Sequence, residues 1–74
     1  MMKQTFTSII KKDGAWFVAE CVETGVVSQG RTVQSAKKNL REAMSLYLEE
    51  LSPRERKTLA RFRSFVAPLE MEYV

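Results

Sequence analysis

Between Lys3 and Cys21 apolar and polar positions alternate on either side of an Asp13-Gly14 dipeptide, the pattern of two strands closing a tight hairpin. Asp13-Gly14 suits a type I′ turn, because both residues tolerate positive φ. The expected strands run from Lys3 to Lys12 and from Ala15 to Cys21, with Ile10 opposite Phe17, Ser8 opposite Ala19 and Phe6 opposite Cys21. This set is nearly all apolar, and its Ala19 and Cys21 are small enough to admit a helix backbone. It is therefore the face a helix should cover. Thr5, Thr7, Ile9, Lys11, Trp16, Val18 and Glu20 fall on the other, mixed face, which is left to solvent or to a partner.

A third strand is expected over Val26 to Arg31, and Thr32 can cap the helix that follows by accepting a backbone N–H from its first turn. Val33, Ala36, Leu40, Ala43, Met44, Tyr47 and Leu51 recur at three- and four-residue intervals, as one buried helical stripe does. Ser52-Pro53-Arg54-Glu55 is a capping-box signature with proline at the first helical position, so a second short helix should begin there and end near Arg63. From Pro68 to Val74, Leu69, Met71 and Tyr73 alternate with Glu70 and Glu72, the pattern of a half-exposed last strand. The expected fold class is α+β, in the order β-β-β-α-(short α)-β. A strand that returns after a helix usually enters the sheet parallel to a neighbour through a right-handed crossover.

Seventy-four residues make one expected domain, 1–74, whose small core gains from association. One cysteine allows no internal disulfide, and the absence of histidine removes the commonest metal ligand and general base. No cofactor and no metal site are expected. No apolar run reaches the length of a signal peptide or membrane span, so a cytoplasmic location is expected. The net charge of +3 is uneven: residues 53–64 carry five Lys/Arg against one acid, whereas 65–74 carry two acids and no cation.

Three groups of residues could carry chemistry. Glu20, Cys21 and Glu23 are neighbours, but strand alternation sends Glu20 and Cys21 to opposite faces, and no base is present to activate the thiol. Asp13, Glu20 and Glu23 show no convergence into a magnesium site, so the chain is expected not to be an enzyme. Arg54, Lys57 and Arg61 form a basic stripe that either solvates the second helix or contacts nucleic-acid phosphate. Trp16 and Val18, with Ile9, make an apolar patch that suits an interface.

The run Val18-Ala19-Glu20-Cys21-Val22-Glu23-Thr24-Gly25-Val26-Val27-Ser28-Gln29-Gly30-Arg31-Thr32, followed by Ala36, Asn39-Leu40 and Glu42-Ala43, resembles the HicB family of antitoxins. Those proteins bind and silence a HicA-type messenger-RNA-cleaving toxin. The resemblance implies a partial ribonuclease-H-like mixed sheet, strand order 3-2-1-4, with the main helix on one face. It also implies a toxin-antitoxin role without catalysis. Trp16, Val18, Glu20 and Glu23 are then the expected partner-binding residues, with Trp16 and Val18 at or beside the contact of a homodimer or tetramer. Many members carry a Leu-Pro-Gly turn where this chain has Val22-Glu23-Thr24-Gly25, and longer members append a DNA-binding segment that is not expected here. The alternatives are a free-standing nucleic-acid-binding regulator that uses Arg54, Lys57 and Arg61, and a ribonuclease-H-type hydrolase; a ferredoxin-like module is the alternative fold.

Overall fold

The structure is a computed structural model that describes residues 3–74. Strands β1 (Ser8–Asp13), β2 (Trp16–Cys21) and β3 (Val27–Gly30) are followed by helices α1 (Val33–Glu50) and α2 (Pro53–Leu59). The strands form one antiparallel sheet in the order β1-β2-β3. The α+β class and the first five elements agree with the sequence pattern.

The hairpin turns one residue later than expected. Asp13 pairs with Trp16, so Gly14 and Ala15 are the central residues. Gly14 has φ 60°, and no residue other than glycine has positive φ among the described residues, so only the first central position is left-handed. That is the requirement of a type II′ turn rather than type I′. The ladder shifts by two residues: Ser8 faces Cys21, Ile10 faces Ala19 and Lys12 faces Phe17. A shift of two preserves the side-chain alternation, which is why the covered and open faces keep their expected members.

The second correction concerns the C-terminal strand. Residues 62–74 form no helix or strand, and the sheet has three strands rather than the expected four in the order 3-2-1-4. The ribonuclease-H-like crossover needs a strand beside β1, and that edge is unpaired among the described residues. Leu69, Met71 and Tyr73 have the alternation of a strand but stay 84%, 71% and 92% exposed. Alternation encodes a capacity to pair, and pairing requires an edge within reach.

Helix α1 lies on the face that carries Ala19 and Cys21. Ala19, Cys21, Ala36, Leu40 and Met44 form the buried cluster, with Phe6, Ile10, Phe17, Val26 and Leu48 packed around it. Ala19 and Ala36 are both fully buried, so the helix approaches β2 through two small side chains. Gly30 sets the same close approach at the edge: a Cβ there would lie 2.5 Å from the Ala36 nitrogen and against the Ser35 hydroxyl. Val33 and Tyr47, expected in the buried stripe, lie at the margins of this contact and are exposed. An 18-residue helix is about 27 Å long, more than a strand of four to six residues can cover.

Both helices begin on reciprocal caps. The Thr32 hydroxyl accepts from Ser35 N–H at 3.0 Å, and the Ser35 hydroxyl accepts from Thr32 N–H at 2.9 Å. Ser52 and Glu55 repeat the arrangement at α2. Asn39 then ties α1 to the sheet edge by donating to the Gln29 carbonyl at 2.8 Å. Helix α2 ends at Leu59, short of Arg63, as Arg61 and Phe62 donate to carbonyls three residues back and tighten the chain into a turn.

Candidate functional site

The open face of the sheet is assembled by strand register. Ile9, Glu20 and Val27 stand in one cross-strand row, and Lys11, Val18 and Gln29 in the next. Trp16 follows beyond Val18 on β2, with the Arg31 guanidinium 4.3 Å from the centre of its ring. A cation over an indole face is attracted by the ring quadrupole, so Arg31 helps hold the tryptophan in place. Trp16, Ile9 and Val27 are 38%, 45% and 53% exposed. The surface is therefore an apolar strip bordered by Lys11, Asp13, Glu20 and Arg31.

Of the residues expected to bind a partner, the structure brings Trp16, Val18 and Glu20 together on β2 and sets Glu23 apart. Glu23 lies in the turn that follows β2, where its carboxylate accepts from Thr7 N–H at 2.8 Å and from the Cys21 thiol at 3.6 Å. Partial burial works to raise its pKa, but hydrogen bonds from the Thr7 backbone, the Ser64 hydroxyl and the Thr7 side chain outweigh it and lower the pKa from 4.5 to about 2. Glu23 thus clasps the start of β1 and the segment after α2 to the end of β2. The same turn is shaped by Gly25 at φ 76°, whose N–H donates to the Cys21 carbonyl, and by Thr24, whose hydroxyl donates to the Met44 sulfur. Cys21 itself is buried and free.

Arg31 and Val27 were not singled out from the sequence. The signal that finds them is the β2–β3 register: Phe17 faces Gly30, so the positions of Trp16 and Arg31 are adjacent, and Val27 faces Glu20.

Arg54, Lys57 and Arg61 are all exposed, the first two on α2 and Arg61 in the turn beyond it. The other two arginines of the basic segment serve the backbone. Arg56 donates to the Leu48 carbonyl at the end of α1, and Arg63 donates to the carbonyls of Ala60 and Phe62. A groove of about 900 Å³ separates α2 from the N-terminal segment, with Phe6, Leu48 and Leu59 among its apolar lining and Lys3, Lys57 and Arg61 among its cations. Gln4 spans its wall by donating to the Leu59 carbonyl at 3.1 Å. No cluster of three or more His, Cys, Asp or Glu able to hold a metal ion occurs among the described residues. No helix among them is long and apolar enough to cross a membrane.

These features define a small α+β domain: a three-stranded antiparallel sheet with one face under a helix and the other face open. The chain belongs to DUF7387, described as a family of unknown function, whose profile matches residues 3–63. It is also 34% identical over 67 residues to a UPF0150 protein of Helicobacter pylori (strain J99 / ATCC 700824), a match that covers 89% of this chain and 93% of that protein. No solved structure gives a significant match.

Proposed function

We propose that the protein is a HicB-like, non-enzymatic antitoxin that holds a HicA-type messenger-RNA-cleaving toxin against the open face of its sheet. The observation that carries this reading is the pairing of a buried face under α1 with an open one that exposes Trp16, Ile9 and Val27 beside Glu20. Fully burying an exposed large apolar side chain gains roughly 1.5–3 kcal/mol, and these three, about half exposed, leave about half of that for a partner to recover. An RNA-cleaving toxin must carry positive charge to hold its substrate; the strip's border is balanced, Glu20 and Asp13 against Lys11 and Arg31, so the apolar groups carry the contact and the two acids are the points where such a partner's cations would pair. The resemblance through Val18 to Ala43 supports the same reading, because it covers most of β2, all of β3 and the first half of α1.

The test is to look beside the gene for a short, basic, histidine-containing protein, co-purify the chain with it and measure association and RNA cleavage; a neighbourhood without one overturns the proposal. The wild-type chain should suppress cleavage at a stoichiometric ratio. Trp16→Ser should weaken association at least tenfold, and Glu20→Lys should weaken it with a steeper loss at low salt. Cleavage that continues in the presence of the folded wild-type chain overturns the proposal, as does binding unaffected by both substitutions.

A further inference from the structure

Two features are left without a partner by the fold and by the antitoxin reading. One is the groove between α2 and residues 3–6, which has a floor of Phe6, Leu48 and Leu59 and a rim of Lys3, Lys57 and Arg61. None of its lining residues among those described is acidic. The other is the segment 65–74, which has two acids, no cation and an alternation of Leu69, Met71 and Tyr73 with Glu70 and Glu72. We propose that Leu69–Tyr73 of one chain docks in extended form into this groove of a second copy, with its apolar side chains on the floor and Glu70 and Glu72 at the cationic rim.

Charge and pattern select this occupant. A strand places alternate side chains on opposite sides, so one extended segment can offer three large apolar groups in one direction and keep both carboxylates clear of the apolar floor. The groove supplies the complement: buried Leu59 and half-buried Phe6 and Leu48 below, lysine and arginine above. A second copy is favoured over the segment's own groove by shape. A compact 74-residue chain has a radius of gyration of about 11 Å, whereas this one has 14.5 Å and a longest extent of 47 Å. Phe65, Leu69, Met71 and Tyr73 stay more than 70% exposed although the groove lies on the same chain. Reciprocal exchange of the two segments is self-complementary and closes a two-fold dimer. It leaves Trp16 and the open sheet face free, and it does not depend on the antitoxin reading.

The experiment is amide hydrogen exchange over residues 65–74 of the full chain, at protein concentrations from about 1 to 500 µM, with sedimentation to report mass. The expected result is protection of alternate amides in 69–73 that grows with concentration in step with dimer formation. Lys57→Glu with Arg61→Glu should raise the dimer dissociation constant at least tenfold and remove the protection. Glu70→Lys with Glu72→Lys in that same chain should restore both. A chain with the groove reversal mixed with a chain carrying Met71→Asp and Tyr73→Asp should pair, because one intact groove and one intact segment remain. All sites are exposed, and circular dichroism verifies that each variant is folded. Protection in a chain that sediments as a monomer places the segment in its own groove and overturns the proposal. So does a dimer indifferent to both pairs of substitutions, or an unprotected segment in a protein whose groove instead retains a labelled RNA oligonucleotide.

Discussion

Glu23 illustrates how a single carboxylate can be diverted from surface chemistry to architecture. Its hydrogen bonds with Thr7 and Ser64 stabilise the ionised form, holding the folded-state pKa near 2 against an ordinary value of 4.5. A group whose pKa falls on folding contributes stability above its unfolded pKa and loses it as pH drops toward the folded one. Glu23 should therefore contribute fully above about pH 5 and progressively less between pH 4.5 and 2. Glu23→Gln should lower unfolding stability by on the order of 1–2 kcal/mol at pH 7, the lower part of the roughly 1.5–3 kcal/mol range for hydrogen bonds to a charged group, because solvent screens this half-buried carboxylate. The difference between wild type and variant should shrink toward zero near pH 2, as measured by urea denaturation across that range. A difference that is flat with pH would show that Glu23 acts by packing rather than by charge.

At the scale of elements, the meeting of β3 and α1 depends on what is missing at residue 30. Gly30 has no unusual φ, so its role is spatial: the first turn of α1 occupies the volume a Cβ would need. Thr32 and Ser35 lock that turn, and Asn39 anchors the next one to Gln29. The helix therefore has little freedom to retreat. Gly30→Ala should destabilise the domain by about 1–3 kcal/mol through overpacking. The same change should shift the amide resonances of Ser35 and Ala36 more than those of Gly14 or Gly25. Retention of wild-type stability would mean that α1 yields more readily than its caps imply.

At the scale of the whole molecule, charge is divided among three surfaces. The open sheet face is mixed, the 53–64 segment is strongly basic, and the 65–74 segment is acidic. If a basic toxin sits on the sheet, α2 gains nothing from facing it, since like charges opposed across an interface cost several kcal/mol. Arg54→Glu, Lys57→Glu and Arg61→Glu together should leave toxin affinity unchanged or tighter, read by calorimetry at two salt concentrations. They should also abolish any salt-sensitive association with RNA or DNA. Release of the toxin by these substitutions would move the inhibitory surface from the sheet to α2. Because Trp16→Ser tests the sheet and the groove reversal tests self-association, the two surfaces can fail separately.

The sequence alone determined the features that depend on near neighbours. Alternation assigned the hairpin faces, the three- and four-residue spacing of Ala36, Leu40 and Met44 assigned the covered stripe, and Thr32 and Ser52 marked both helix starts. These survive because propensity, capping and side-chain period act within a few residues. Tertiary structure decided what depended on distance or on competing local choices. The turn shifted from Asp13-Gly14 to Gly14-Ala15, a choice that face alternation does not make, because both registers keep Ala19 and Cys21 under α1. Arg31 reached Trp16 only through the β2–β3 pairing, and Glu23 left the open surface because the turn after β2 brought it to Thr7. The expected last strand did not form. Its alternation specifies a segment able to pair or dock, but whether an edge or groove lies within reach is a property of the folded chain and its copies, which no local pattern carries.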